Sequence, residues 1–177
     1  MKVNFARLRT LLRDAAREHF TALRRKHPDE QFYAFALYTD DGAMTVEPAA
    51  NSEEGFERQA EHGGEDEACY YRWGTAEWAY EAGAQGTSFE KVYKALNPPD
   101  RCEDDDFGPF CEELHAAMIG ALADLDGEGF FGSGKDRERV TLFISISDSE
   151  DLERIEDESA KALNPKPVYA RFQKRYD

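Results

Sequence analysis

The sequence is poor in cysteine and contains no long hydrophobic run. Its cysteines are Cys69, Cys102 and Cys111, and such an odd, sparse set is unsuited to a disulfide framework. No segment approaches the roughly 18 apolar residues that a membrane span requires. Charged residues interrupt the apolar stretch within residues 1–14, which therefore does not resemble a signal peptide. These absences predict a cytoplasmic protein with reduced thiols.

Basic residues are also scarce relative to acidic ones. The chain of 177 residues has 22 lysines and arginines against 37 aspartates and glutamates, a formal net charge of −15. The negative electrostatic field of such a charge repels phosphate backbones and anionic lipids and attracts cationic surfaces. We therefore expect no nucleic acid and no membrane among the partners, and the charge favours a basic protein.

The rest of the composition is that of a folded protein. Hydrophobic residues make up 41% of the chain and aromatic residues 12%. This is enough for a sizeable core and far more than a disordered chain carries. At roughly 150 residues per domain, the length predicts one domain over residues 1–177. No pattern in the sequence specifies an oligomeric state.

The N-terminal segment has the periodicity of a long amphipathic helix. Apolar residues recur at spacings of three and four, as at Leu8 and Leu12. Arg9, Arg13 and Arg17 occupy the opposite face, and residues 1–27 contain 8 basic and 2 acidic residues. This arginine face either packs against the acidic body of its own chain or binds a partner.

Several short segments predict a β-sheet. Residues 31–39 are rich in aromatics and too short for a helix, and alternation resumes at residues 44–47 after an Asp-Asp-Gly turn at 40–42. These two segments are expected to form a hairpin. Residues 140–146 are predicted to form a further strand, and residues 69–73 a short one.

Helices are predicted between and after these strands. Their expected bounds are residues 88–96, 109–125 and 149–162. Ser147 and Glu150 have the spacing of a capping box before the last of them.

Two further segments are assigned by their local chemistry. Thr75 is a candidate N-cap for a short helix that carries Trp78. The start of the polar run at residues 53–67 resembles a helix start, but the two glycines near its end favour an exposed loop.

The pentapeptide Lys-Ala-Leu-Asn-Pro occurs twice, at residues 94–98 and 161–165. A lysine in the last turn, an asparagine able to adopt the left-handed conformation and a following proline make a favourable helix stop. Convergence on this stop explains both copies better than an internal duplication does.

A glycine-rich segment has the glycine and lysine spacing of a phosphate-binding loop. It runs from Gly129 to Lys135, but Asp136 stands where that motif needs a hydroxyl for magnesium. The segment also follows a predicted helix and precedes a strand, which is the wrong order for cradling phosphates. We interpret it as a helix-to-strand connection and expect no nucleotide cofactor.

Three side chains suited to metal binding or nucleophilic chemistry are Cys102, Cys111 and His115. The last two are four residues apart and therefore share one face of a helix. Because there is no Cys-x-x-Cys pair and no clear fourth ligand, structural roles are favoured over a zinc site or a Cys–His catalytic pair.

An acidic run and an aromatic group are the best candidates for contacts with a partner. Asp104, Asp105 and Asp106 lie where a loop leads into a helix and could steer a basic protein. Tyr71, Trp73 and Trp78 belong to an aromatic group that also contains Tyr70 and Tyr80. Packing in the core is the simpler interpretation of these rings, and any that are exposed would serve as interface anchors.

Four segments resemble landmarks of a bacterial family, the domain of unknown function numbered 4303. They are residues 32–41, 70–81, 142–148 and 163–165. The resemblance covers nearly the whole chain, and its motifs are aromatic and structural, so it transfers no catalytic residue. Small, acidic α+β families of this kind are suspected of being immunity proteins that neutralise secreted toxins, and the resemblance implies the same role here.

Together these observations predict an α+β fold with a mainly antiparallel sheet covered by helices and a long N-terminal amphipathic helix. The favoured function is a non-enzymatic, acidic protein-binding module, an immunity-type inhibitor of a cationic toxin, without cofactor or metal. The alternative is a small hydrolase or metal-dependent enzyme that uses Cys111, His115 and carboxylates.

Overall fold

The computed structural model describes residues 3–61, 68–81, 88–99 and 107–176. The strands are β1 (Phe32–Thr39), β2 (Val46–Ser52), β3 (Tyr80–Glu81) and β4 (Thr141–Ile146). The helices are α1 (Phe5–Lys26), α2 (Glu53–Ala60), α3 (Ala68–Trp73), α4 (Phe89–Leu96), α5 (Phe107–Gly127), α6 (Gly134–Arg137), α7 (Leu152–Leu163) and α8 (Lys166–Phe172). None of these helices is long and apolar enough to cross a membrane.

The strands form one sheet in the order β3-β2-β1-β4. The hairpin of β1 and β2 is antiparallel, with Thr39 opposite Val46, and β3 pairs antiparallel with β2. The late strand β4 lies parallel to β1, with Thr39 opposite Ile146. The predicted α+β fold, its hairpin and its mainly antiparallel sheet are confirmed.

The two faces of the sheet carry side chains of different size. Phe35 and Leu37 of β1 point into a large core with α1, α4 and α5. Ala34 and Ala36 point to the other face, where a smaller aromatic cluster includes Phe172 of α8. Small residues on this second face leave room for large rings to pack close to the strands.

The outer edge of β4 is covered by α7 rather than by another strand. Asn164 accepts from the Leu142 N–H at 2.9 Å and donates to the Leu142 carbonyl at 2.6 Å. Ser159 accepts from the Ile144 N–H at 3.0 Å. Two side chains thus satisfy buried backbone groups that an uncovered edge would leave without partners.

The arginine face of α1 packs against α5 of the same chain. Arg9 makes a bidentate pair with Asp124, with nitrogen-to-oxygen distances of 2.8 and 2.6 Å. Arg17 forms a salt bridge with Glu128, and Arg13 lies 3.9 Å from the same carboxylate. The first of the two sequence interpretations is therefore confirmed for these arginines.

Both copies of the repeated pentapeptide end a helix, but not through a left-handed asparagine. Asn97 and Asn164 have φ angles of −116° and −114°. Each side chain instead donates to the carbonyl four residues back in its own helix, at 3.1 and 2.8 Å. Each also donates to a neighbouring backbone carbonyl, that of Met44 or Leu142. The asparagine is favoured here because its amide docks the helix end onto the chain beside it.

The polar run after β2 begins with a helix, and the prediction of an exposed loop there was wrong over Glu53–Ala60. Ser52 caps this helix by accepting from the Gly55 N–H at 2.9 Å. A Cβ at Gly55 would lie 2.8 Å from that of Ala79. The close packing against Ala79, together with the cap, overrides the loop signal of the surrounding polar residues.

The segment predicted as a short strand at residues 69–73 is the helix α3. Trp73 packs edge-on against Phe172 and Tyr33, with ring centroids 5.3 and 5.8 Å away. The Tyr33 hydroxyl and the Trp78 indole both donate to the Arg72 carbonyl. These contacts give the Arg72 carbonyl at the end of the helix its partners, and within the described ranges no strand pairs with residues 69–73.

The segment after α3 is a single turn of 3-10 helix, Thr75–Glu77, so Thr75 is its first residue and not its cap. Trp78 follows that turn. At the other end of the fold, α7 begins after Asp151, and the predicted capping box of Ser147 and Glu150 is wrong. The helix α8 was not predicted at all.

The glycine-rich segment runs from α5 into the single turn of α6 and then into β4. This confirms the predicted helix-to-strand connection. Gly129 and Gly132 have φ angles of +75° and +99°, which glycine adopts without strain.

Candidate functional site

The predicted acidic site, Asp104, Asp105 and Asp106, lies outside the described residues, as does Cys102. The other candidates of the sequence analysis all fall within the described residues.

Cys111 and His115 lie on α5, and both are partly buried. Burial, reinforced by the charge of Arg154 and opposed by that of Asp151, lowers the pKa of His115 and favours its neutral ring. Within the described ranges, no group of three His, Cys, Asp or Glu side chains could hold a metal ion. The described residues thus bring no metal-binding group of three around this pair.

The three predicted aromatic anchors are packed to different extents. Trp78 is only 3% exposed and contacts Phe143 edge-on at 5.5 Å, so it belongs to the core and cannot serve as an anchor. Trp73 and Tyr71 are partly buried.

Two other aromatic rings are exposed and in contact with each other. Tyr70 of α3 is 64% exposed, and Tyr176, just after α8, is 43% exposed. Their ring centroids lie 6.4 Å apart with an angle of 42° between the planes. We call the space between these two rings the tyrosine notch.

A buried ion pair holds the C-terminal side of the tyrosine notch. Arg175 is 7% exposed, and its guanidinium lies 4.9 Å from the ring centroid of Tyr176 and 4.2 Å from that of Phe172. It pairs with Asp157 at 2.5 Å and with Glu156 at 3.3 Å. These contacts fix the backbone that presents Tyr176.

Glu156 lies beneath this ion pair and is only 1% exposed. The Ser145 hydroxyl donates to its carboxylate at 2.8 Å. Burial raises the pKa of Glu156 to about 7, against the opposing effects of Ser145 and Arg175. The carboxyl group therefore changes charge near neutral pH.

Exposed carboxylates surround the tyrosine notch. Burial raises the pKa of Tyr176, and the charges of Glu156 and, to a smaller extent, of the exposed Glu153 of α7 add to this increase, against the opposing effect of Arg175. Glu77 is exposed in the turn after α3, where Gly74 donates to the Tyr70 carbonyl at 2.7 Å. A basic group that approaches the notch therefore meets negative charge on the elements at both of its sides.

Residues 12–165 match the model of the family DUF4303, a domain of unknown function. The chain belongs to the DUF4303 family. No curated protein and no solved structure matches it. Of the two tyrosines in the notch of this DUF4303 chain, Tyr70 lies within the matched residues, and Tyr176 lies after them.

A cleft of about 550 Å³ lies beside α3 and α8 of this DUF4303 chain. Its lining includes Tyr33, Arg72, Trp73 and Arg171. Arg72 makes a bidentate pair with Glu53 at 2.8 and 2.9 Å and lies 4.4 Å over the Tyr33 ring. The Glu53 carboxylate therefore offsets the positive charge of Arg72. The contacts with Glu53 and Tyr33 hold the guanidinium in place beside Trp73 in the lining of the cleft.

The site brings together two exposed rings from α3 and from the residues after α8. The sequence had indicated the aromatic group that contains Tyr70, but it assigned that segment to a strand. Nothing in the sequence connects Tyr176 with Tyr70, because only the packing of the C-terminal residues on α3 and α7 brings them together.

Proposed function

We propose that this DUF4303 chain is a non-enzymatic protein-binding module for a basic partner, acting as an immunity-type inhibitor that covers a cationic toxin. The observation that carries the proposal is the contact between the exposed rings of Tyr70 and Tyr176. Tyrosine is enriched among the residues that dominate binding energy at protein interfaces. Tyr176 is also held in place by the buried ion pair of the neighbouring Arg175, so that this ring loses little conformational entropy on binding.

The charge of the chain supports a basic partner. The net charge of −15 gives long-range attraction, which accelerates association with a cationic protein. Glu77 and Glu153 extend this negative charge to the edge of the tyrosine notch. The chain also belongs to a family of unknown function, and small, acidic α+β families of this kind are suspected of immunity functions, which favours the same role.

Replacing either notch tyrosine with alanine should accelerate dissociation from the partner. The partner to test is the protein encoded by the reading frame next to the gene of this chain, produced in an inactive form. We expect Tyr70→Ala and Tyr176→Ala each to raise the dissociation rate about tenfold or more, because loss of an aromatic anchor costs roughly 2 kcal/mol. Surface plasmon resonance measures both rate constants.

Tyr93→Ala is the matched control for these variants. Tyr93 is 50% exposed, but it lies on α4, outside the notch. Its replacement should leave both rates unchanged. Equal dissociation rates for the wild type, Tyr70→Ala and Tyr176→Ala in a complex that does form would show that the binding face lies elsewhere.

The acidic run should act on association instead of dissociation. We expect the triple change of Asp104, Asp105 and Asp106 to Asn to slow association several-fold at low salt. The effect should shrink at high salt, because the Debye length falls from about 10 Å at 0.1 M to about 3 Å at 1 M. Stopped-flow mixing at several salt concentrations gives the rates.

A second triple variant with the same change in net charge controls for the overall field. It replaces three exposed acidic residues distant from the run in sequence, namely Asp41→Asn, Glu57→Gln and Glu90→Gln. If both triple variants slow association equally, residues 104–106 contribute only through net charge and do not direct the partner.

A further inference from the structure

We infer that the tyrosine notch receives the guanidinium group of one arginine side chain of the partner. This inference rests on the proposed function and adds the chemical group that the binding face recognises. It follows from the geometry of the two rings, from the way the chain packs its own arginines, and from the charges beneath the notch.

The two rings are inclined to each other, and both are exposed. Their centroids are 6.4 Å apart, their planes are inclined by 42°, and the two residues are 64% and 43% exposed, so both rings are accessible to a group that arrives from solvent. The face of a tyrosine ring carries partial negative charge. A cation within about 6 Å of a ring centroid is attracted to it.

Arginine stacked on an aromatic ring is a recurrent contact within this chain. The guanidinium of Arg72 lies 4.4 Å from the Tyr33 centroid, and that of Arg24 lies 4.7 Å from the Phe35 centroid. Tyr176 itself already contacts the guanidinium of Arg175 at 4.9 Å. Its ring thus accepts such a group on its buried side, and 43% of the residue remains exposed for a second one.

The buried cation does not repel an incoming arginine, because two carboxylates offset its charge. Asp157 and Glu156 lie 2.5 and 3.3 Å from the Arg175 nitrogens. When all three are ionised, Arg175, Asp157 and Glu156 together carry a net negative charge. Glu153 adds to this charge from the exposed side of α7. Arginine suits the notch better than lysine because its planar, weakly hydrated head group stacks on aromatic faces.

The probe for this inference is N-acetyl-arginine amide, titrated into protein labelled at its tyrosine rings and followed by NMR. A buffer near pH 8 keeps Glu156 ionised. We expect the ring resonances of Tyr70 and Tyr176 to shift together and to saturate, while those of Tyr93 stay in place. N-acetyl-citrulline amide has the same shape without the charge, and it should bind at least about threefold more weakly.

Variants of Tyr70 separate the ring from the rest of the surface. Because Tyr70 is 64% exposed, its replacement should not disturb folding. Tyr70→Ala should weaken binding of the arginine amide about two- to fivefold, and Tyr70→Phe should retain it, since the ring and not the hydroxyl makes the contact. Equal binding of the citrulline probe, or tighter binding of N-acetyl-lysine amide, would overturn the inference.

The same variants distinguish failure of this inference from failure of the proposed function. Suppose that Tyr70→Ala accelerates dissociation of the protein partner while the arginine amide shifts the resonances of neither notch tyrosine. The notch then belongs to the binding face, but the group that it receives is not an arginine side chain. If the amide binds at the notch while the kinetics with the partner do not change, the notch binds arginine but the face that binds the partner lies elsewhere.

Discussion

Replacing Arg137 with alanine is expected to lower the free energy of unfolding by about 3–5 kcal/mol. Arg137 is 6% exposed, and its Nε pairs with Asp126 at 2.5 Å. One terminal nitrogen donates to the Val140 carbonyl at 2.5 Å, and the other donates to the Leu163 carbonyl at 2.9 Å. This one side chain therefore ties together the end of α5, the start of β4 and the end of α7.

The large effect follows from what the alanine variant leaves behind. The alanine variant would leave the Asp126 carboxylate and two backbone carbonyls without their donors. A buried polar group without a partner costs about 1–3 kcal/mol. Arg137→Lys should recover only part of the loss, because one ammonium group cannot reach all three partners in the geometry of a guanidinium.

Urea denaturation of the variants measures these differences. Arg139→Ala provides the control, since this neighbouring arginine has a side chain that is 77% exposed and makes only a 3.9 Å contact with Asp136. Its replacement should change stability by less than about 0.5 kcal/mol. A loss below about 1 kcal/mol for Arg137→Ala would show that the three elements hold together without it.

Glu156→Gln should make the protein progressively more stable than the wild type as the pH rises. Burial raises the pKa of Glu156 from an ordinary value of 4.5 to about 7 in the folded chain. Between these two values the folded state holds a proton that the unfolded state has released, so the stability from this group falls as the pH increases and is lost above about pH 7. Glutamine does not ionise, so its contribution to stability does not change with pH.

From about pH 5.5 to about pH 8, the free energy of unfolding of Glu156→Gln should increase by about 2 kcal/mol relative to that of the wild type. One pKa unit corresponds to about 1.4 kcal/mol. Urea denaturation at both pH values gives the comparison. Glu158→Gln is the control on the same helix, with a side chain that is 66% exposed. A stability difference between Glu156→Gln and the wild type that stays constant with pH would show that Glu156 remains ionised throughout this range.

The sequence by itself determined the elements whose signals are local. The helix α1 was predicted because its apolar residues recur every three or four positions, and this period alone places Leu8 and Leu12 on one face. The strands β1 and β4 and the hairpin followed from short apolar runs and a turn. The arginines of α1 were correctly given an acidic partner in their own chain as one of two alternatives, since opposite charges on a small protein tend to meet.

Only the tertiary structure decided how distant segments meet, and the reason is that a local pattern does not specify its long-range partner. The aromatic run of α3 could suit a strand or a helix, and packing of Trp73 on Phe172 selected the helix. Ser159 gives no local sign that it completes the edge of β4. In the same way, Tyr70 and Tyr176 are far apart in the sequence, and the buried pairing of Arg175 with α7 helps to bring their rings together.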